Sequence, residues 1–327
     1  MNVLAFALIG FMLTAYVLLD GFDLGIGALT PFVARTDAER AASMQAIGPF
    51  WNGNEVWLIA AGGSLFALFP EAYASSFSGF YLPFMVVLWL LMFRGIAMEL
   101  RSHLASELWH TFFDAAFALA SGLLALIFGV AIANLVRGLP LDAHGYFHGT
   151  FAFLLNPYAL LVGVFTVVAL AQHGATFLVV RVDGPPAVRA MRALPMLIAT
   201  SGVLFVLVTA ATYYVRSGVF GLSWLYAMPL LSLGALVAML IFVRSKNTRA
   251  AFFASSAFLL TLMIEAAGTL FPNLLPSYPS GHGLSIYQAA PSHTALISAL
   301  IITIVGIIAV IVYGSIVLPK MLQRIRL

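Results

Sequence analysis

The sequence predicts an all-α polytopic membrane protein with nine transmembrane helices, its N-terminus outside and its C-terminus inside. Three observations predict this. Of 327 residues, 62% are hydrophobic and only 8% are charged, where a soluble domain carries roughly a quarter charged residues. Apolar runs long enough to cross a bilayer, about 20 residues each, recur along the whole chain. The arginines and lysines concentrate in every second connection between those runs.

The runs are 3–33, 46–69, 80–98, 109–136, 154–180, 194–215, 225–243, 251–270 and 293–318. The first is longer than a crossing needs, so it should tilt or project beyond the bilayer. Its opening Met-Asn-Val lacks the basic segment of a secretory leader, so this helix is read as retained. The first connection holds Arg35 and Arg40, and the third holds Arg101, with Arg94 just inside the span. The fifth holds Arg181, Arg189 and Arg192, and the seventh Arg244, Lys246 and Arg249. The tail holds Lys320, Arg324 and Arg326, whereas the alternate connections hold only Arg137 and Arg216. Cationic loops stay on the cytoplasmic side, so the alternation sets the orientation and requires an odd number of spans.

The sequence pI near 9.3 therefore reports topology and contact with membrane lipid. Nucleic acid is excluded as a partner, because no basic stretch with interleaved aromatics lies outside the membrane. With no cysteine, disulfides, thiolate metal sites and haem-thioether attachment are excluded too. The longest connection, 271–292, has no formal charge. Its four prolines and two glycines predict a packed cap rather than a helix.

Ionisable side chains inside the spans are costly and face a bundle interior, a partner or water. In the first span, LDGFDLGIGALTPF (19–32) places Asp20 and Asp23 toward the inner leaflet on one helix face. Gly21 and Gly25 form a GxxxG suited to close helix approach. In the second span, GPFWNGNEVWLIAAGG (48–63) brings Asn52, Asn54 and Glu55 into the membrane early, with Asn52 and Glu55 expected to face together. In the third, FRGIAMELR (93–101) carries Arg94 and Glu99. A buried arginine needs a carboxylate, and one from the first or second span aligns better with Arg94 than Glu99 does. Asp20, Asp23, Glu55, Arg94 and Glu99 are thus expected at one depth, as a hydrated proton path or as a structural ion network. Asp114 either joins that layer or favours a helix N-terminus. Glu265, isolated in the outer half, faces a partner subunit or a second polar cavity.

Haem held by two histidines needs a pair at matched depth. His173 is the only histidine well inside a span, and it reads as a hydrogen-bonded core residue. His103, His110, His144, His148, His282 and His293 sit at edges or in loops. No metal site, phosphate loop or nucleophile motif is visible, so the chain alone has no catalytic apparatus.

Taken together, LDGFDLGIG (19–27), GPFWNGNEVWLI (48–59), FSGFY (77–81), FRGIAMELR (93–101), LLNPYALLVG (154–163), HGATFL (173–178), AGTLFPNLLPS (267–277) and YQAAPSHTAL (287–296) resemble subunit II of the bacterial cytochrome bd-type quinol oxidase. The likeness spans nearly the full chain. It implies two four-helix bundles (about 1–136 and 154–270) plus one peripheral helix (293–318). It also implies a heterodimer with a homologous subunit I that binds haem b and haem d, in the bacterial cytoplasmic (inner) membrane, with room for small single-span accessory subunits. The complex would oxidise quinol and reduce oxygen to water with cytoplasmic protons. No redox cofactor is expected in this chain, although some relatives hold a structural quinone. In relatives a proton route enters at an acidic position that is here Asn52. An amide cannot relay a proton by ionising, and Glu55, one turn on, is placed to compensate. A proton-coupled secondary transporter is the alternative. It would put its polar site near the midplane between two halves, whereas the acidic cluster here is off-centre and confined to the first half. A membrane anchor for another respiratory enzyme is a third reading.

Overall fold

The computed structural model describes residues 1–142, 145–216, 223–278, 283–321 and 323–326. His144, His282 and the side chain of Lys320 lie outside the described residues. The chain opens with α1 (Asn2–Val33). At 32 residues it is about 48 Å long, longer than a bilayer core. A short helix, α2 (Asp37–Ile47), follows, started by a capping box in which Thr36 and Glu39 satisfy each other's backbone N–H groups. After a turn come α3 (Trp51–Leu68), α4 (Pro70–Gly79) and α5 (Tyr81–Leu100). The first half ends with α6 (Glu107–Arg137).

The second half holds α7 (Phe151–Leu154), α8 (Pro157–Arg181), α9 (Pro185–Val215), α10 (Met228–Arg244), α11 (Thr248–Leu270) and α12 (His293–Met321). Asn156 caps α8 by accepting from the Ala159 N–H, with Pro157 in the first turn. That is the arrangement a helix start prefers, since proline lacks a donor that would go unused. Two small strand pairs tie the loops. β1 (Val182–Asp183) runs parallel to β4 (Ile325–Arg326), and β2 (Asn273–Leu275) runs antiparallel to β3 (Leu284–Ser285). Leu275, Leu284, Ile286 and Ala289 are the buried residues of the last long loop's apolar side. The Asn2 side chain donates to the Ile286 carbonyl at 3.0 Å, so this loop caps the start of α1.

Among the described residues, eight helices are long and apolar enough to cross a membrane. They match eight of the nine expected runs. The remaining run, 46–69, holds the end of α2, a turn and then α3. That helix has 18 residues and a polar first turn, so its composition alone does not mark a crossing.

The packing has two central helices. α1 lies against α3, α6 and α8, while α8 lies against α1, α6, α9 and α11. α10 pairs with α9 and α11, α5 with α6, and α12 rests on α3. The α1–α8 approach depends on glycine. A Cβ at Gly25 would fall inside the van der Waals shell of the Leu170 carbonyl oxygen, and one at Gly174 would strike the Gly25 backbone. A Cβ at Gly21 would crowd the Leu170 side chain at 3.1 Å and meet His173 at an ordinary 3.7 Å. Small residues permit this backbone-to-backbone packing where lipid gives no hydrophobic drive.

Candidate functional site

Tyr16, Asp20 and Asp23 fall on one stripe of α1, being four and three residues apart. That stripe faces α3 and α5. Arg94 of α5 reaches between them. Its Nη1 donates to both Asp20 oxygens, at 2.8 and 2.9 Å, and its Nη2 donates to Glu55 Oε1 of α3 at 3.0 Å. Asn54 Nδ2 donates to Asp23 Oδ2 at 2.9 Å and to the Leu19 carbonyl at 3.2 Å. Asp20, Asp23 and Arg94 are 0% exposed, whereas 19% of the Glu55 side chain remains accessible. Glu55 is therefore the most accessible of the four charged side chains. Tyr16 Oη, Asp23 Oδ1 and Arg94 Nε are buried without a hydrogen-bond partner. Buried polar groups of this kind usually pair with ordered water.

Two expected members do not join. Asn52 is exposed on α3, because that helix turns its Asn54–Trp57–Ala61 stripe inward. Asn54, not Asn52, supplies the amide. Glu99 is exposed on α5, whose inward stripe runs through Val87, Arg94 and Ala97. Glu99 sits well round the helix from Arg94.

Asp114 belongs to a separate network. Arg101 Nε donates to Asp114 Oδ1 at 2.6 Å, and Arg101 Nη2 reaches Asp37 Oδ1 at 2.6 Å. Arg40 approaches Asp114 at 3.4 Å, and His110 Nδ1 lies 3.0 Å from Asp37. The group joins α2, α6 and the short turn that follows α5 at the basic end of the bundle. Burial alone would raise Asp37, but the hydrogen bond and charge of Arg101, with His110, hold it below the ordinary carboxylate range. Glu39 behaves alike. Burial opposes its ionisation, and the Arg35 and Thr36 N–H groups and Arg189 outweigh that and lower it.

His173 is 0% exposed in the contact zone of α1, α8 and α11. Its Nε2 lies 3.0 Å from the Leu18 carbonyl, and Nδ1 lies 3.0 Å from Ser255 Oγ. A carbonyl only accepts, so Nε2 carries a hydrogen and Nδ1 accepts from the serine when the ring is neutral. Both nitrogens are engaged, so His173 does not fit a haem iron. His110 pairs with Asp37 and His148 with Asp142, and His103 and His293 are exposed. The described histidines therefore form no axial pair. Among the described residues, no group of three or more histidine or carboxylate side chains is placed to hold a metal ion.

Glu265 Oε1 accepts from Ser232 Oγ at 2.8 Å. It lines a largely apolar cavity of about 160 Å³ bounded also by Tyr16, Gly21, Phe128, Tyr158 and Phe205. The sequence leaves Glu265 facing either a partner subunit or a second polar cavity, and the cavity it lines is mostly apolar. Tyr16 escaped the sequence reading, though its place one turn before Asp20 was a usable signal. It lines this cavity and lies on the same α1 stripe as the aspartates.

A family model described as cytochrome bd terminal oxidase subunit II matches residues 1–320. The chain belongs to that family. It is 32% identical over 355 residues to cytochrome bd-I ubiquinol oxidase subunit 2 of Escherichia coli K12, covering 97% of this chain and 93% of that one. It is 32% identical over 296 residues to cytochrome bd ubiquinol oxidase subunit 2 of Bacillus subtilis 168, covering 89% and 87%. The solved bd oxidase structure from Geobacillus thermodenitrificans superposes with a TM-score of 0.81 at 17% identity, over 98% of each chain. That last likeness concerns the fold alone. As a member of the bd oxidase subunit II family, the chain is a multi-pass membrane component of a quinol:oxygen oxidoreductase in electron transport.

Proposed function

We propose that this chain is the haem-free half of a bd-type oxidase and feeds cytoplasmic protons toward the oxygen chemistry of its partner. In this reading α3 completes nine crossings. The basic loops lie in the cytoplasm, and a homologous subunit I carries haem b and haem d. Helices α1, α3, α5 and α6 form one bundle, α8 to α11 the other, and α12 the peripheral helix. The membrane is the bacterial inner membrane.

One observation carries the proton reading. Three carboxyl groups, Asp20, Asp23 and Glu55, gather around the single guanidinium of Arg94. If all were ionised, the buried cluster would be doubly negative, which a low-dielectric interior opposes. The cluster therefore has places to hold protons. Asp20 takes one guanidinium nitrogen with both its oxygens and anchors Arg94. Glu55 takes the other nitrogen and is the member open to the surface, so it is the entry. Asp23 keeps one oxygen without a partner, and Tyr16 places its hydroxyl beside the same stripe. The departure at Asn52 leaves that position without an ionisable group, and Glu55 takes its place.

The test is Glu55→Gln and Asp23→Asn in the purified complex. Oxygen reduction slows in both while the haem spectrum and assembly persist. Unchanged turnover in both variants would sink the proton role, and loss of assembly in both would reduce the cluster to a structural one.

A further inference from the structure

The two basic residues that break the charge alternation, Arg137 and Arg216, come together. Arg137 ends α6 and Arg216 follows α9, at the end of the bundle opposite the basic loops. Both line one pocket of about 230 Å³, with Asn273, Ser277 and Tyr278 from the last long loop. Arg216 Nη1 donates to the Val136 carbonyl at 3.0 Å. The Arg137 guanidinium lies over the Phe153 ring at 4.5 Å and near the Tyr278 ring at 5.9 Å. These contacts hold both side chains still. They do not neutralise them, for neither arginine forms an ion pair among the described residues. Arg137 Nη1 is buried with no acceptor. Burial pushes the Arg216 guanidinium below its usual value, so its charge stands there against a desolvation cost.

Capping two helix C-termini would account for each cation singly. It does not account for a shared pocket rimmed by an amide, a hydroxyl and a phenol, or for a buried guanidinium donor without an acceptor. Two fixed guanidinium forks suit a phosphate group, which accepts paired N–H donors. The pocket stands where two helices long and apolar enough to cross a membrane end and the capping loop begins, and membrane-crossing helices end near the lipid headgroups.

We propose that Arg137 and Arg216 form a binding site for a phosphate group, supplied by an anionic phospholipid or by free phosphate. The site sits on the face away from the proton cluster. It makes no claim on that cluster and survives its failure.

The experiment uses the delipidated complex and reads its thermal unfolding midpoint. It is titrated with inorganic phosphate in one arm and with phosphatidylglycerol in mixed micelles in the other. The wild type is stabilised, and in R137Q/R216Q the apparent affinity falls at least about tenfold, since charge-assisted hydrogen bonds are lost. Stabilisation by phosphatidylglycerol alone identifies a lipid, and stabilisation by both identifies free phosphate as sufficient. R137K/R216K keeps the charges and recovers part of the affinity. Native mass spectrometry of the wild-type complex, which needs no variant to fold, retains a phosphate-bearing adduct. No shift with either probe, an equal shift in R137Q/R216Q, or the absence of any such adduct would overturn the site.

Discussion

Two arginine–carboxylate networks in the first half of the chain use the same residue types in different proportions and at different depths. Around Arg94, three carboxyls meet one cation, and the centre is 0% exposed. Around Arg101, Asp37 and Asp114 face Arg101 and Arg40, with His110 beside them. There the Asp37 side chain is 55% exposed. The outer network is balanced in charge and touches water, so it needs no further protons and acts as a latch for α2. The inner one has three carboxyls for one cation and a buried centre, and in the proposed function its charge state is the one that responds to proton supply. Stoichiometry and access, rather than residue type, distinguish the two networks, and the proposed relay role rests on that difference.

The sharpest way to break this contrast is Arg94→Gln. It leaves Asp20 buried with no cation, a loss of about 3–5 kcal/mol. The complex should fail to assemble, read as loss of the haem spectrum from purified membranes. A stable, active Arg94→Gln complex would mean the inner network is as dispensable as a surface pair. Gly25→Ala comes next, because α1 positions both aspartates against its α8 contact. Overpacking at a glycine seat costs about 1–3 kcal/mol, and a lowered unfolding midpoint with slowed turnover is expected. Asp114→Asn removes a mostly buried partner of Arg101 and should cost about 1–2 kcal/mol, with turnover retained. Asp37→Asn is the smallest, below about 1 kcal/mol, since that pair is screened by water. Its sign with pH is fixed. A carboxyl lowered by folding adds stability above its unfolded value, about 4, and loses it as pH falls through the lowered folded value. The wild type and Asp37→Asn should therefore unfold alike in strong acid and diverge toward neutral pH. A gap that persists in acid would remove Asp37 from the latch.

Much of this was legible in the sequence. Hydropathy located eight of the membrane helices to within a few residues, apart from the start of α9. The i, i+3 spacing of Asp20 and Asp23 placed them on one face, and the lone Arg94 demanded a carboxylate from another span. What stayed hidden was rotation about the helix axis. Asn52 and Asn54 are equally polar, and only the packing of α3 on α1 decides that Asn54 turns inward. Glu99 failed for the same reason on α5. The α2 latch was obscured because hydropathy treats 34–45 as a connection, although Thr36 and Glu39 spell a capping box. The Arg137–Arg216 pocket needed the fold itself. Those residues are 79 positions apart in the chain, and the last loop brings their cavity together.

The most direct test compares proton uptake by the reduced complex during a single oxygen pulse in wild type, Glu55→Gln and Asp37→Asn. The proposed division predicts that Glu55→Gln slows uptake by about tenfold or more, the scale of a lost proton-transfer group, with the haem spectrum intact, while Asp37→Asn matches wild type. Equal uptake in Glu55→Gln and wild type would contradict it and leave the inner cluster as a second latch.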